Sequence, residues 1–587
     1  MFDWRSRPLA LLTIKSKQSS YIFATMMGKC NSLSPASTEP VNNQTCEKSV
    51  ADHHKSIDLD IEQALAENRH DISPEFFCNS LAGSSPHLNL KSTGSTIILC
   101  HTSDDVILSI FPLLCYTLLV SLGGLVYGYD IGTVGGLVDI PAFVRKFGDH
   151  STANGDKVFK PITKGCLVSI ACLGGFVSGF VSNQTIPLIG MRFTLSLAML
   201  VYMLGIILAL IAPTYHVVIV SRLLNGLAVG ISTVACPMYI SEITPVKYRG
   251  VLTCFNQLFT TIGIVIGSVT MYFSATRFNS DNNAQFLYPL CQGGFLSLLA
   301  AASIWLVPES PQWLARKENN VEKVKKALSR LNYLNINDEK VIDNTVKLYD
   351  IQAVNRSNIE MNGKRARSII RGEPKYLFRT IIGILIYGFQ QFTGINFFFF
   401  YGLTIFKGIQ VKSPYQIPVM LGVINLFFSS LSVYTISKFP RRHLLLFGSI
   451  SLSSLMVCFT IAGAILKNKF DVTVPLILIS CAFIAVFSIT WGPIASVVIS
   501  EMYPSTIKVK AMSICGSCAW IFNFMISLII PTLTKYIGLG VGGGFAFATV
   551  CGGVFVYFFV PETRNTTTTV LDFHYQEKGR LYRRLCR

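Results

Sequence analysis

Apolar residues gather in this chain into long runs separated by shorter polar connections. A helix that crosses roughly 30 Å of hydrocarbon needs about 20 such residues. Twelve runs reach that length, near residues 107–128, 163–182, 193–212, 217–238, 251–273, 288–307, 380–402, 416–436, 443–466, 474–499, 511–533 and 541–560. The third and fourth nearly touch, so their separation rests on a second pattern, an internal repeat. Ser241-Glu242-Ile243-Thr244-Pro245 returns as Ser500-Glu501-Met502-Tyr503-Pro504, and Val307-Pro308-Glu309-Ser310 returns as Val560-Pro561-Glu562-Thr563. A repeat of that period, filled with apolar runs, predicts two related membrane bundles facing one another across a path. It requires an even split of the runs, six and six.

The expected organisation is a polar tail over 1–104, a six-helix bundle over 105–307, a linker with short amphipathic helices over 308–378, a second six-helix bundle over 379–560 and a short tail over 561–587. The fold class is an all-α membrane protein of twelve transmembrane helices in two pseudo-symmetric bundles. In the linker, Val321, Val324, Leu328 and Leu331 fall on one helical face. The first tail is rich in Ser, Asn and His and has no sustained periodicity, which is the pattern of a disordered segment.

Composition agrees: 51% of the residues are hydrophobic, 14% are charged and the mean hydropathy is +0.48, too apolar for a soluble chain. The net charge of +18 is spread over connections and is not gathered in one stripe with aromatic platforms, which argues against nucleic-acid binding. Arg316, Lys317, Lys323, Lys325, Lys326, Arg330, Lys364, Arg365, Arg367 and Arg371 lie in the linker, and Lys438, Arg441 and Arg442 lie between the eighth and ninth spans. By the bias of basic loops these connections face the cytoplasm, together with both termini. A multi-pass protein of the plasma membrane is expected, with an internal membrane such as the vacuole's as the alternative, in contact with membrane lipids.

Most of the sixteen cysteines fall inside apolar runs, where a thiol serves as a small apolar side chain. Cys515 and Cys518 have C-x-x-C spacing but no second pair and no histidine nearby, so packing is expected and neither a metal nor a cofactor. No nucleophile and base pair or phosphate loop stands out, which argues against an enzyme.

Polar groups inside the spans carry the chemistry, since each needs a partner or a water-lined cavity. Asp130 stands near the expected end of span 1. Arg222 opens span 4 ahead of Gly226 and Gly230, small residues that allow close helix approach. The two charges are expected to pair, either as a static ion pair or as a protonatable gate. Span 7 holds Gln390, Gln391, Thr393, Gly394 and Asn396, followed by Phe397 to Phe400 and Tyr401. Three carboxamides there suit a polyol whose hydroxyls give and accept hydrogen bonds, with Gly394 as a place to bend; hydrogen bonding between helices is the alternative. Gln257, Asn425, Trp520 and Asn523 are candidates to complete the pocket.

These motifs together resemble the sugar porter family of the major facilitator superfamily, above all fungal hexose transporters, from about Leu122 to Thr563. The resemblance rests on Tyr127-Gly128-Tyr129-Asp130, on Pro237 through Glu242, Pro245, Arg249 and Gly250, on Pro308-Glu309-Ser310-Pro311, on Gln390-Gln391 with Gly394 and Asn396, and on Pro561-Glu562-Thr563. It implies a central sugar site exposed alternately to each side, contacted by Gln257, Gln390, Gln391, Asn396, Asn425, Trp520 and Asn523. It implies a proton-coupling pair at Asp130 and Arg222 if the carrier is a symporter. It also implies an inner charge network of Arg192, Glu242, Arg249, Arg441, Arg442 and Glu501.

The chain departs from the family pattern in that network. Pro187-Leu188-Ile189-Gly190-Met191-Arg192 lacks the usual acid and one Arg, Ser437 stands for an acid and Pro440 for a Gly before Arg441. Gln312 replaces an Arg, Phe286-Leu287 replaces Trp-Arg and Asn565 replaces a Gly. The expected consequence is a shifted balance between inward-open and outward-open states. Two functions follow from the resemblance: a sugar carrier, passive or proton-coupled, and a sensor of the same fold that binds sugar and signals.

Overall fold

The computed structural model describes residues 110–151, 157–244, 246–317, 321–331, 375–408, 414–465, 473–503, 507–564, 566, 571 and 575. The tail expected over 1–104, and Lys364, Arg365, Arg367 and Arg371 of the linker, lie outside the described residues.

Long helices dominate because apolar runs of this length satisfy their backbone groups internally. The first half runs through α1 (Ile110–Leu137), the short α2 (Pro141–Phe147), α3 (Pro161–Ile189), α4 (Met191–Ile211), α5 (Tyr215–Ile243), α6 (Val246–Arg277) and α7 (Ala284–Trp305). A two-stranded antiparallel hairpin, β1 (His150–Ser151) with β2 (Lys157–Val158), joins α2 to α3 and pairs His150 with Val158. Two short helices follow, α8 (Pro311–Lys317) and α9 (Val321–Arg330). Val324 and Leu328 are buried against Trp313 and Leu314, and Leu331 on the same face is buried in the main core. The second half comprises α10 (Tyr376–Phe392), α11 (Ile395–Gly408), α12 (Gln416–Lys438), α13 (Arg441–Ile465), α14 (Thr473–Ile489), α15 (Trp491–Met502), α16 (Lys508–Ile537) and α17 (Val541–Phe559).

Among the described residues, eleven stretches are long and apolar enough to cross a membrane, and the last, Lys508–Phe559, is 52 residues long. At 1.5 Å per residue it would extend to roughly 78 Å, more than twice the hydrocarbon thickness. It is in fact two helices, α16 and α17, joined by a 3-10 turn at Gly538–Gly540. Twelve crossings result, and the nearly contiguous third and fourth runs are separate helices with Ala212, Pro213 and Thr214 between them.

One boundary differs from the expectation. Asp130 does not stand near the end of span 1, because α1 continues to Leu137, seven residues further. Ile131, Val134 and Leu137 are buried there and carry the helix on.

Two crossings are discontinuous. Between α10 and α11 the backbone tightens, with Gly394 N–H donating to Gln391 O at 3.3 Å, and Gly394 takes a φ of +92°. Between α14 and α15, Thr490 leaves helical geometry at φ −110° and ψ −97°. A Cβ on Gly394 would come within 2.9 Å of the Phe545 ring and 2.7 Å of Met456 Cε. Gly394→Ala is therefore expected to lower stability by at least the ~1–2 kcal/mol cost of left-handed backbone, read as a fall in melting temperature in detergent.

The halves meet along α16 against α3 and α12 against α6. Within the first half, α3 and α5 approach closely at Gly226, where a Cβ would lie 1.8 Å from Ala171 O, and at Gly230, which faces Ser178 and Gly175. Small residues at such crossings replace the hydrophobic drive that helices lack in lipid.

Candidate functional site

At mid-height in the first half, Arg222 from α5 grips Asp130 from α1 with both arms. Its Nη1 donates to Oδ1 at 2.6 Å and its Nη2 to Oδ2 at 3.1 Å, and Tyr202 Oη from α4 donates to Oδ1 at 3.3 Å. Asp130 is 8% exposed and Arg222 5%, so a charge that lipid would reject is matched in place by a fork of donors. The sequence separates these partners by 92 residues. α1 and α5 bring them together because both are helices of one bundle.

The pair faces a cavity that both halves line. Tyr127, Asp130, Cys172 and Arg222 come from the first half, Phe400 and Trp520 from the second. The cavity offers about 20 Å³ to the centres of water-sized molecules, room for about one water. Trp520 seals it: the indole stands edge-on to Tyr127 at 5.6 Å, donates from Nε1 to Thr233 Oγ1 at 3.3 Å and lies over Gly175, where a Cβ would sit 2.4 Å from the ring.

Gln390, Gln391 and Asn396 flank the break at Gly394. Gln390 Nε2 donates to Trp491 O at 2.9 Å and to Gly492 O at 3.0 Å, tying the break after α10 to the one before α15. Asn396 Nδ2 donates to Gln391 Oε1 at 2.7 Å across the Gly394 turn. Asn425 Oδ1 accepts from Ser488 Oγ at 2.7 Å and Ser429 Oγ at 3.3 Å, and Asn523 Oδ1 accepts from Ser527 Oγ at 3.0 Å. Gln257 is half-buried on α6. Both readings of these amides therefore have a footing: Gln390 and Asn425 join helices to one another, Gln390, Gln391 and Asn396 stand at a break, and Asn523 bonds within its own helix.

The end of the bundle next to α8 holds the charge network, and it shows the repeat in three dimensions. Glu309 caps α4 by accepting from Met191 N at 3.0 Å and Arg192 N at 3.3 Å, while Ser310 Oγ donates to Glu242 Oε2 at 2.6 Å. In the second half Glu562 caps α13 by accepting from Arg441 N at 2.9 Å and Arg442 N at 3.1 Å, while Thr563 Oγ1 donates to Glu501 Oε2 at 2.6 Å. A carboxylate at a helix N-terminus satisfies orphan N–H groups and meets the positive end of the dipole. Burial pushes the Glu309 carboxyl above its ordinary range, against the pull of the N–H groups of Ser310, Arg192 and Met191.

The halves differ in one partner. Arg441 Nη2 reaches Glu501 Oε1 at 3.3 Å, but the equivalent place beside Glu242 belongs to Met191, which is buried and uncharged. Arg192, the arginine that remains, is half-buried and stacks its guanidinium over Trp305 at 4.9 Å. Arg442 donates to Tyr557 O and covers that ring at 5.4 Å. Arg249 is half-buried on α6, next in sequence to Gly250, which faces the Arg441 side chain.

Several participants escape a reading of motifs alone. Lys508 is buried at the start of α16 and its Nζ donates to Ser241 Oγ at 2.7 Å, crossing from the second half to the residue before Glu242. The signal for it was present: Lys508 stands seven residues after Glu501, as Arg249 stands seven after Glu242. Glu309 and Glu562 mark the repeat in sequence, yet their role as helix caps appears only when α4 and α13 are in place. At the opposite end Tyr415 Oη donates to Asp139 O at 3.1 Å, and Lys164 Nζ meets Asp139 Oδ1 at 2.6 Å. Lys508 with Ser241 and Tyr415 with Asp139 thus link the two halves at opposite ends.

Comparison with known proteins places these features. The sequence profile described as "Sugar (and other) transporter" matches residues 116–573. The hexose transporter HXT14 of Saccharomyces cerevisiae is 33% identical over 481 residues, covering 79% of this chain and 88% of that protein. A low-affinity glucose transporter of Kluyveromyces lactis is 32% identical over 483 residues, covering 80% and 83%. Among solved structures, the proton:xylose symporter XylE bound to 6-bromo-6-deoxy-D-glucose superposes with a TM-score of 0.68 at 23% identity, over 79% of this chain and 99% of that one. XylE from E. coli in a partially occluded inward-open conformation gives 0.62 at 24% identity. That likeness shows the fold, twelve helices in the major facilitator arrangement. By the match along most of its length and by its identity to those relatives, the chain belongs to the sugar transporter family.

Proposed function

We propose that this sugar transporter carries a hexose, held between the halves by Gln257, Gln390, Gln391, Asn396, Asn425, Trp520 and Asn523. The observation that carries the reading is the shared cavity, in which the Asp130–Arg222 pair of one half and Trp520 of the other face the same space; of the seven, Trp520 lines it. The curated relatives are hexose and glucose transporters, which supports a hexose over other sugars. The end bearing α8 and α9 is assigned to the cytoplasm by its basic residues, and the plasma membrane is the proposed location. Residues 105–307 and 379–560 are then the two moving bundles, with Arg192, Glu242, Arg249, Arg441, Arg442 and Glu501 at the inner gate.

Asp130 is the proposed proton carrier. A proton enters when opening or sugar binding parts Asp130 from Arg222. The test is uptake of labelled hexose by cells that lack their own hexose carriers, with and without a protonophore. Accumulation above the outside concentration that the protonophore abolishes supports symport; uptake that only equilibrates makes Asp130 a structural partner of Arg222. Binding without uptake would favour the sensor.

Gln390→Ala is expected to weaken sugar binding by about 1–3 kcal/mol, the cost of leaving hydrogen-bonding groups unpaired. Because Gln390 also ties the two breaks, turnover should fall with affinity. Unchanged KM in a normally expressed variant removes Gln390 from the site.

A further inference from the structure

Arg379 is a fully buried guanidinium one turn into α10, and the sugar site does not use it. Its Nη1 donates at 3.2 Å to the carbonyl of Met502, the last residue of α15, and Tyr503 Oη donates to Arg379 O at 3.1 Å. The carbonyl end of a helix offers unpaired acceptors and partial negative charge, so a cation is favoured there. The guanidinium carbon lies 5.5 Å from the centre of the Tyr376 ring and 4.6 Å from that of Tyr575. Both are within reach of cation–π attraction, which strengthens out of water.

Tyr575 comes from the C-terminal tail. It is completely buried, and Leu571, four residues earlier, is 1% exposed. Phe378 of α10 meets the Tyr575 ring edge-on at 6.4 Å. The tail thus seats Tyr575 against the second half at its inner end, and Leu571 is buried as well.

This contact reaches the breaks by a short route. Arg379 stands at the inner end of the helix that carries Gln390, and Met502 ends the helix that begins at Trp491. Gln390 binds Trp491 O and Gly492 O at the other end of those same two helices. α10 and α15 are therefore tied twice, by Gln390 at the breaks and by Arg379 at the inner ends. The inner tie touches the tail, through the Tyr575 ring.

We infer that Arg379 and Tyr575 are positioning residues of the transport cycle, the tail docking through Leu571 and Tyr575 to brace α10 against α15 and to favour the state closed at the inner end. The inference rests on the alternating-access reading of the site, and its first test needs no sugar. Native Cys254 is buried on α6 beside the inner network, its Sγ donating to Gly250 O at 3.0 Å next to the Arg441 side chain. Opening at the inner end exposes it. Full-length protein in membranes is treated with a permeant maleimide, and modification at Cys254 is followed by peptide mass spectrometry.

Tyr575→Ala should accelerate Cys254 modification about fivefold, a shift of the size that modest coupling between distant positions produces. Tyr575→Phe keeps the ring and should keep the parent rate. A chain ended after residue 570 removes the contact without placing a small residue beneath the bundle, and should behave as Tyr575→Ala does. Parent-like protection in the shortened chain overturns the inference, as does equal acceleration by Tyr575→Phe. In sugar flux, Tyr575→Ala should raise the KM for influx and lower it for efflux, because the outward-facing fraction shrinks as the inward-facing one grows. A change of both in the same direction indicates general damage and overturns the brace. Faster Cys254 modification in a protein that moves no hexose would instead leave the brace standing and defeat the hexose reading.

Discussion

Arg222→Met is expected to destabilise the protein by about 3–5 kcal/mol, the typical cost of stripping a buried carboxylate of its partner. Asp130 would keep only the Tyr202 hydroxyl at 3.3 Å in a site 8% exposed. The double variant Asp130→Asn with Arg222→Met should recover most of that loss, because two neutral groups of similar size need no mutual compensation. Thermal melting of the purified proteins in detergent measures the cycle, and strict additivity of the two single effects would show that the pair is not coupled. Transport separates the roles: Asp130→Asn should abolish uphill accumulation yet leave exchange across an equilibrated membrane largely intact if Asp130 carries the proton.

Glu501→Ala should be nearly as severe and should act on the balance of states as well as on stability. Glu501 accepts from Arg441 and from Thr563, and without it the guanidinium of Arg441, 6% exposed, stays buried beside the Ile436 carbonyl alone. The same order of cost, about 3–5 kcal/mol, applies to the closed state, but opening of the inner end lets water reach Arg441 and relieves part of it. The variant should therefore favour the inward-open state, read as faster modification of Cys254 and a raised KM for influx. Slower modification would contradict the assignment of Glu501 to the inner gate. The first half has no such arginine, since Met191 occupies the place, and Lys508 from the second half reaches the adjoining Ser241 instead.

The contrast between those two halves shows how far motifs carry. The repeated Pro-Glu segments were visible at once, and so was the loss of an Arg at Met191. That Glu309 and Glu562 cap α4 and α13 was not, because a cap depends on where the neighbouring helix begins in space, and 118 and 121 residues separate donor from acceptor. The amides of span 7 were conspicuous in an apolar run. Their hydrogen bonds were hidden, since the partners of Gln390 lie 101 and 102 residues away on another discontinuous helix.

Asp130 was misplaced toward a membrane edge because the glycines around it, Gly128, Gly132, Gly135 and Gly136, weaken the apolar signal. In the folded bundle those glycines let α1 pack closely on α6 and on the second half, with Gly128 against Thr260 O and Gly135 against Phe399 O. Low side-chain hydropathy there records helix contact and not exposure to water.

By itself the sequence determined the number and order of the crossings, their grouping by repeat and the inventory of polar groups within them, because a bilayer admits few backbone solutions and penalises every unsatisfied polar atom. Only the tertiary structure decided the pairing of those groups: Arg222 with Asp130, Arg441 with Glu501, Lys508 with Ser241, and Arg379 with the Met502 carbonyl and the Tyr575 ring. Each pair depends on the rotation and height of helices far apart in the chain. Those are set by packing of whole surfaces, through contacts such as Gly226 on Ala171, and no short motif records them.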